Sequence, residues 1–404
     1  MTDPGYVRGV TPPIIAPPEL LSSLVSLRRL LHAEAEVGLD LPRTQRRIIE
    51  ALADLDLEIT TGERLSSVTA VLRGGRPGPV VLLRSDMDAL PVVEATGLPF
   101  AADGAMHACG HDLHMAGLIG AARLLAAHRD ELPGTVVFMF QPGEEGYGGG
   151  RIMLEEGVLD AAGDRPVAAY AVHVDCTTEG GTAVTRQGPI MASASGLRVR
   201  VRGTGGHAAW PENAIDPMPV AAEIVLALQS FVSRRVPATD PAVVSVTRIS
   251  SDSAAGNVLS ATVDLQASVR TLSPQTLQLV REELPRLVTA IGEAHGCTVD
   301  AAFIEGYPVT VNDPDETAIV LGILDELYGA DRVVRMPQPS MASEDFAYVL
   351  EEVPGTLVFL GVRPEATPAA SAPGMHSEGA VFDDGLLDAH AVLLAQLAWR
   401  RLIR

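Results

Sequence analysis

The chain has 404 residues, of which 47% are hydrophobic and 20% charged, so it is long enough to form two domains with substantial cores. Its formal net charge of −21 at pH 7 disfavours binding to a phosphate backbone, and we expect no nucleic-acid partner. The three cysteines are too few and too far apart for a disulfide framework, so we expect them to be packing residues or ligands.

The N-terminal segment lacks the features of a targeting sequence. Residues 1–21 contain Asp3, Glu19 and five prolines, whereas a secretory signal has a basic start followed by a continuous apolar stretch. No segment of the chain reaches the roughly 20 apolar residues that span a bilayer. We therefore expect a soluble, cytoplasmic protein without a membrane partner.

The first third of the chain alternates between helix and strand patterns. Residues 20–31 and 44–55 have apolar side chains at helical spacing, whereas residues 79–83 and 135–140 are short β-rich runs bounded by Gly and Pro. An Ala- and Leu-rich helix is predicted between these strands, over residues 116–128. This order predicts βαβ units and a mostly parallel sheet flanked by helices.

The pattern changes after residue 190. Residues 197–202, 243–249 and 261–270 alternate between apolar and polar side chains, which is typical of half-exposed strands. Residues 220–232 and 274–295 have the pattern of amphipathic helices. Strand, helix, strands and helix in this order predict an α+β layer with one open sheet face.

The last part of the chain returns to the first pattern, with a predicted buried strand over residues 356–360 and a closing helix over 385–402. The predicted fold class is therefore α/β, with a smaller α+β domain inserted into a larger domain. The larger domain would comprise residues 1–190 and 305–404, and the inserted domain residues 191–304.

Potential metal ligands are concentrated in residues 106–114. This segment contains His107, Cys109, His111, Asp112 and His114 within nine residues. Imidazoles and a thiolate at such short spacing are typical of a transition-metal site. The alternatives are that His107 and His114 are exposed residues at a helix end and that Cys109 is buried packing.

Carboxylates follow two of the predicted strands, where an α/β sheet places its active site. Asp86 and Asp88 come after residues 79–83, and on their own they are also typical of a turn or a helix cap. Glu144 and Glu145 come directly after residues 135–140, where adjacent carboxylates normally form a solvated turn. Beside a metal, however, one Glu can be a ligand while its neighbour accepts a proton from the bound water.

Two isolated histidines complete the set of candidates. His173 interrupts an apolar strand, where a histidine is often a hydrogen-bonded core residue, but a third strand end at the same edge favours a ligand. His376 lies in a loop before the final helix and carries no signal by itself.

These segments together resemble the metal-dependent amidohydrolases of peptidase family M20, in the branch of indole-acetyl-amino-acid hydrolases, hippurate hydrolases and bacterial N-acyl-amino-acid amidohydrolases. The similarity runs from about Leu24 to the C-terminus. The matching motifs are residues 31–32, 43–44, 84–91, 106–114, 141–145, 171–174, 203–211, 216–217, 257–258, 269–271, 311–313, 343–346 and 376–377. The agreement of so many motifs in one order argues against coincidence.

The resemblance implies two divalent metal ions per subunit, Mn²⁺ or Zn²⁺, with Co²⁺ or Ni²⁺ as further candidates. The implied ligands are Cys109, His111, Glu145, His173 and His376. Glu144 would be the general base, and Asp88 would orient the site from behind the ligands.

The resemblance also implies that the inserted domain is a dimerisation lid and that the protein is a homodimer. His207 would reach the active site of the neighbouring subunit and stabilise the oxyanion. Asn257 and Arg270 would bind the substrate carboxylate, for which a guanidinium group is geometrically suited.

This chain departs from the family pattern at three places. Glu212 replaces the usual His after the Pro of the lid motif, Glu378 replaces the Pro that usually follows residues 376–377, and residues 257–260 lack the customary Pro. None of these positions is an expected ligand. We therefore expect them to affect substrate preference rather than catalysis.

The function implied is metal-dependent hydrolysis of the amide bond of N-acyl amino acids, with Glu144 activating the attacking water. A hydrolase with a Ser nucleophile is disfavoured because the sequence contains no G-x-S-x-G motif, and a zincin because it contains no H-E-x-x-H motif. Residues 203–208 imitate a dinucleotide-binding motif, but Trp210 and Pro211 follow where a helix should run. The remaining alternative is an inactive relative that serves as a binding module or scaffold, and the complete set of ligand positions argues against it.

Overall fold

The structure, a computed structural model, describes residues 14–404; the residues of the predicted larger domain that precede Ile14, and with them most of segment 1–21, lie outside the described residues. Within the described range the helices are α1 (Pro18–Ala33), α2 (Pro42–Leu52), α3 (His111–Ala127), α4 (Gly149–Glu155), α5 (Pro217–Arg235), α6 (Pro274–Ala294), α7 (Pro314–Tyr328), α8 (Ala347–Glu352) and α9 (Leu387–Leu402). None of the helices between residues 14 and 404 combines the length and apolar character that crossing a membrane requires.

The strands are β1 (Glu58–Thr61), β2 (Val68–Arg73), β3 (Arg76–Asp86), β4 (Pro133–Gln141), β5 (Ala168–Glu179), β6 (Ala183–Thr185), β7 (Gly188–Met191), β8 (Ser195–Arg202), β9 (Gly206–His207), β10 (Ala242–Ser251), β11 (Val258–Leu259), β12 (Thr262–Thr271), β13 (Thr298–Ile304), β14 (Thr310–Asn312), β15 (Val333–Arg335) and β16 (Gly355–Arg363). The described chain forms two compact units. The first contains the described residues up to Gly188, Val311–Pro337 and Tyr348–Arg404, and the second contains Pro189–Thr310 and Gln338–Ala347.

An eight-stranded sheet forms the centre of the first unit. Its strand order is β1-β2-β4-β3-β5-β16-β6-β15, and the central run β4-β3-β5-β16 is parallel. The strands of this run are almost continuously apolar and buried because helices cover the sheet. The structure confirms the predicted α/β class with a mostly parallel sheet flanked by helices.

Helix α3 is buried on nearly every side because small residues let its neighbours approach closely. A Cβ atom on Gly120 would lie 2.6 Å from the Cβ of Ala391 on α9, so this helix pair requires glycine there. At its N-terminus, Gly110 adopts a left-handed conformation with φ of 84°, and a Cβ would lie 2.4 Å from Val174 of β5. Glycine therefore allows the start of α3 to lie against the end of β5.

The parallel register aligns the carboxyl ends of β3 and β4 and places them close to the middle of β5, so His173 lies within its strand and not at the strand end. Asp86 at the end of β3 pairs with Gln141 at the end of β4, and His173 of β5 pairs with Phe359 of β16. The segments that follow β3 and β4 therefore emerge at the same edge of the sheet, which is where ligands bind in open α/β sheets.

The second unit contains a four-stranded antiparallel sheet in the order β10-β12-β8-β13. Buried and exposed side chains alternate along β8 and β12, and the buried ones pack with α5 and α6 in one core. The caps follow local chemistry, since the Ser273 hydroxyl accepts a hydrogen bond from Thr276 N at the start of α6. The structure thus confirms the predicted α+β layer with one open sheet face.

Candidate metal centre

The five predicted ligands form two groups of three that share one thiol. Cys109, His111 and His173 form one group, and Cys109, Glu145 and His376 form the other, with ligand atoms within 4.8 Å of one another in each. We call these the histidine group and the carboxylate group. The Cys109 Sγ lies 3.6 Å from His173 Nε2 and 3.3 Å from His376 Nε2. The arrangement has the donors for two ions with a shared thiolate.

His111, the first residue of α3, is oriented through its Nδ1 atom, which lies 2.7 Å from the carbonyl oxygen of Asp88. A carbonyl oxygen only accepts, so Nδ1 carries the proton and donates it. The Nε2 atom is buried and makes no hydrogen bond in the described structure, and it lies 3.6 Å from Asp86 Oδ2 and 4.0 Å from Glu145 Oε1. Burial by itself lowers the pKa of His111, but Asp86 outweighs it and holds the pKa well above the usual range, so the ring favours a second proton on Nε2. A metal ion that replaces this proton would bind the electron pair of Nε2.

His173 is oriented in the same way on β5. Its Nδ1 atom lies 2.7 Å from the carbonyl oxygen of Val174, so Nδ1 donates and Nε2 keeps its unshared pair. Nε2 is the atom that faces the Cys109 thiol. Second partners that fix the tautomer and orientation of a histidine are typical of metal sites.

Asp88 holds the segment that carries the two glutamates, and it belongs to neither donor group. Its Oδ1 atom accepts a hydrogen bond from Glu144 N at 2.9 Å, and its Oδ2 atom accepts one from Glu145 N at 3.0 Å. Gly143, with φ of 76°, provides the turn before them. Asp88 thus connects His111 with Glu144 and Glu145, as expected of a residue that orients the site.

The two glutamates have different neighbours. Glu145 Oε1 lies 3.2 Å from His376 Nε2. A carboxylate oxygen of Glu144 lies within 4.8 Å of ligand atoms of His111 and Glu145. Burial by itself raises the pKa of Glu145, but His376 and His111 outweigh it and hold the pKa below its usual range. Glu145 is therefore a carboxylate ready to bind a cation.

His376 reaches the site from a distant loop in a conformation that is rare outside glycine. Its φ is 66°, in the left-handed region, and its backbone N donates to Ala108 O at 2.8 Å. That bond ties the loop to the residue next to Cys109. Unfavourable backbone conformations that the surrounding structure enforces are concentrated at functional sites.

Cys109 depends on a neighbouring cation for its ligand form. Burial raises the pKa of its thiol well above the usual range, so the thiol stays protonated unless positive charge is supplied. A metal ion supplies that charge and binds the thiolate. Thiolate, imidazole and carboxylate together suit a transition metal rather than Mg²⁺ or Ca²⁺. The residues present therefore fit divalent transition-metal ions.

A buried network behind the histidine group was not assigned from the sequence. Asp86 is fully buried and accepts hydrogen bonds from Arg84 Nη1 at 2.8 Å and from His114 Nδ1 at 2.5 Å, and Arg84 Nε donates to Gln141 Oε1 at 3.0 Å. Burial alone would raise the pKa of Asp86, but its cationic and imidazole neighbours hold it well below the usual range. In the sequence, Arg84 and Asp86 lie in the motif that also contains Asp88, and His114 lies in the segment that contains Cys109 and His111.

The other members of the cluster at residues 106–114 are buried, which excludes exposed helix-end positions for His107 and His114. Burial lowers the pKa of His107 to about 3, so its ring is neutral. Asp112 lies 2.6 Å from Arg28 Nε and 2.8 Å from His32 Nδ1, which ties α3 to α1. These residues therefore form buried contacts at the start of α3 and belong to neither donor group.

The second unit brings two of its three predicted site residues together. His207 on β9 pairs with Val258 on β11, and Ala208 N donates to Asn257 O at 3.0 Å. His207 is exposed, and its Nδ1 accepts a hydrogen bond from Ala209 N, so Nε2 carries the proton.

Arg270 lies on β12, on the open face of the sheet, and is half-buried. Its Nη1 atom has no hydrogen-bond partner among the described residues, and burial lowers the pKa of the guanidinium. An anion would satisfy this group. The roles of His207, Asn257 and Arg270 stay predictions.

The sequence profile of peptidase family M20/M25/M40 matches residues 82–400. The chain belongs to this family. Thermostable carboxypeptidase 1 of Saccharolobus solfataricus is 34% identical over 386 residues, 94% of this chain and 95% of that protein. N-acetylcysteine deacetylase of Bacillus subtilis is 37% identical over 349 residues, 84% of this chain and 88% of that protein. The structure of the Bacillus subtilis YXEP protein, described as a dinuclear metal-binding peptidase of the M20 family, is 32% identical, with a TM-score of 0.82 over 95% of this chain and 98% of that one.

Membership of family M20 confirms the prediction from the motifs, and it makes the chain a metal-dependent hydrolase that acts on amide bonds. The scaffold, Ser-nucleophile and dinucleotide-binding alternatives are therefore rejected. The glycine-rich stretch 203–208 runs into β9 and a single 3-10 turn over Pro211–Asn213, where a dinucleotide-binding motif requires a helix.

Proposed function

We propose that this chain hydrolyses the amide bond of N-acyl amino acids. The observation that carries the proposal is the pair of donor groups sharing Cys109, with the Glu144 carboxylate beside them. The relationship to N-acetylcysteine deacetylase supports this substrate class. The relationship to a carboxypeptidase makes peptides that are cleaved at their C-terminal residue the main competing substrates. Both kinds of substrate are small molecules with an amide bond.

The ligands we propose for two divalent ions are those of the histidine and carboxylate groups, with Mn²⁺ or Zn²⁺ as first candidates. When bound, such ions supply Lewis acidity for the amide carbonyl and make water more acidic. The chain orients these donors through Asp88 O, Val174 O and Ala108 O, each of which holds one ligand residue.

Glu144 is the proposed general base. It accepts a proton from the attacking water and returns it to the leaving amine nitrogen. Its backbone N is fixed by Asp88, and its neighbour Glu145 is engaged by His376, which leaves the two carboxylates with different tasks. Burial of Glu144 keeps competing solvent away from the proton transfer.

The inserted domain, residues 191–304, is proposed to be a lid through which two subunits form a homodimer. In this proposal His207 donates from Nε2 to the oxyanion in the neighbouring subunit, while Asn257 and Arg270 bind the substrate carboxylate. The partnerless Nη1 of Arg270 supports the anion-binding role. The edge strand β10 exposes Val243 and Ile249, which supports association with a second copy.

A substrate panel on Mn²⁺- or Zn²⁺-loaded protein tests the proposal. We expect hydrolysis of N-acetyl amino acids and hippurate, with kcat/KM well above that for dipeptides that have a free amino group. The panel should include acidic, neutral and basic amino acids, because Glu212 and Glu378 lie at the positions where the chain departs from its family. Hydrolysis of the dipeptides alone would reject the proposed substrate class.

A further inference from the structure

His114 uses both ring nitrogens to connect two elements of the first unit. It lies on α3, one turn after His111, and is 2% exposed. Its Nδ1 atom lies 2.5 Å from Asp86 Oδ1, and its Nε2 atom accepts a hydrogen bond from the backbone N of Val174 at 2.8 Å. A ring nitrogen of His114 lies within 4.8 Å of ligand atoms of Asp86 and His111. However, both ring nitrogens are engaged in hydrogen bonds, so His114 has no unshared electron pair left for a metal ion.

The partners of His114 determine its tautomer. Because the Val174 N–H can only donate, Nε2 is the acceptor and the proton sits on Nδ1, where Asp86 accepts it. Asp86 is in turn held by Arg84 at the end of β3. The ring of His114 is thus fixed at both nitrogens by protein atoms alone.

Val174 transmits this constraint to a predicted metal ligand. The same residue that donates its N–H to His114 accepts the Nδ1 proton of His173 on its carbonyl oxygen. The ring centroid of His114 also lies 4.5 Å from that of His173 and 5.3 Å from that of His111. Both histidines of the histidine group therefore pack on His114, and one of them is oriented through it.

The carboxylate group is held by other contacts. Glu145 is fixed by the bond from its backbone N to Asp88, and His376 by the bond from its backbone N to Ala108 O. Neither contact involves His114 or Val174. A change at His114 should therefore act on one donor group and leave the other in place.

We propose that His114 is a positioning residue that fixes His111 and His173 and thereby sets the metal affinity of the histidine group alone. This inference rests on the proposed ligand roles. Loss of a residue that orients metal ligands lowers metal affinity about 10- to 100-fold. The expected result for His114→Ala is a loss of this size for one of two ions, with the other ion retained.

Two further variants separate the two bonds of His114. His114→Gln can place an amide oxygen near Val174 N and lose Asp86, whereas His114→Asn can reach Asp86 and lose Val174. If His173 is oriented through Val174, His114→Gln retains more metal affinity than His114→Asn. The reverse order would overturn the role given to Val174. Circular dichroism and Tm confirm that each variant is folded.

Single-group backgrounds identify which ion is affected. His376→Ala leaves the histidine group as the intact one, and His173→Ala leaves the carboxylate group. Adding His114→Ala should weaken binding of Zn²⁺ or Mn²⁺, measured by titration of metal-free protein, about 10- to 100-fold in the first background and not in the second. Equal losses in both backgrounds, or none in either, would overturn the inference.

His390 provides a control for the loss of a neighbouring imidazole, because it is also a buried histidine, 1% exposed, and its ring centroid lies 6.2 Å from that of His114. Its replacement by Gln removes a ring that packs on His114 but leaves both hydrogen bonds of His114 in place, so metal content should stay at two ions. If wild-type protein binds two ions and cleaves amides while His114→Ala also keeps both, only the role of His114 fails. If wild-type protein binds no divalent ion, both the role of His114 and the proposed function fail.

Discussion

In the first unit, the polar side chains of the candidate metal centre are almost fully buried: His111 and Asp88 are each 1% exposed and His114 is 2% exposed. Their orientations are fixed by hydrogen bonds to other parts of that unit. In the second unit, His207 and Asn257 are exposed, and the Arg270 Nη1 atom has no partner among the described residues. The proposed metal donors are thus held by contacts within the protein, whereas the proposed substrate-binding residues keep exposed or unpartnered polar atoms that a ligand would engage.

This difference predicts that changes in the first unit remove metal or catalysis, while changes in the second unit alter substrate affinity. Four substitutions test the contrast, beginning with the side chain that both donor groups share.

Cys109→Ala is expected to have the largest effect, because it removes one donor from each group. We expect metal content to fall from two ions to below one after dialysis, measured by mass spectrometry, and hydrolysis to be abolished. Cys176→Ala is the matched control: Cys176 is a buried cysteine of β5 that donates to Pro373 O and should be dispensable for metal binding. Two retained ions in Cys109→Ala would contradict the shared-thiol arrangement.

Glu144→Gln is expected to separate catalysis from metal binding. The amide cannot accept the proton of water, so kcat should fall about 10²- to 10⁴-fold, while metal content and KM change little. Glu155→Gln, at an exposed carboxylate outside the site, should leave all three quantities unchanged. Turnover near the wild-type value in Glu144→Gln would remove the role of general base.

Arg270→Ala should act on substrate affinity. A hydrogen bond to a charged group is worth about 1.5–3 kcal/mol, so KM for an N-acyl amino acid should rise about 10- to 100-fold with metal content unchanged. Arg198→Ala, on the same open face of the sheet, is the control for loss of positive charge. A fall in metal content instead of a rise in KM would contradict the division between the two units.

Arg200→Ala should have the smallest effect. Arg200 pairs with Asp264 across β8 and β12, but both side chains are largely exposed, with relative exposures of 51% and 43%. Exposed pairs contribute little because water and salt screen them. We expect Tm, metal content and kcat/KM within experimental error of wild type. A clear loss of activity would show that the open face does more than carry Arg270.

Much of the fold could be predicted because it depends on local periodicity. The helical spacing of residues 20–31 and the alternation of 261–270 reappear as α1 and β12. The helix boundaries differ from the prediction where tertiary packing determines them. The helix predicted over residues 116–128 begins at His111, because Gly110 provides the left-handed turn that precedes it.

The candidate site was harder to derive because its individual signals are weak. His376 has no pattern of its own, and the sequence does not reveal that its backbone adopts a left-handed conformation tied to Ala108. The network of Arg84, Asp86 and His114 was visible only as polar residues in the right segments. Their partners are backbone atoms and side chains of other elements, which residue spacing does not encode.

The sequence by itself therefore determined the fold class, because periodicity is a property of neighbouring residues, and its resemblance to family M20 implied the set of candidate ligands. Only the tertiary structure decided which ligands meet. Cys109 and His376 are 267 positions apart, yet their ligand atoms lie 3.3 Å apart. The division of the donors into two groups with a shared thiol follows from that packing, since contacts between distant segments arise when the sheet and its helices assemble.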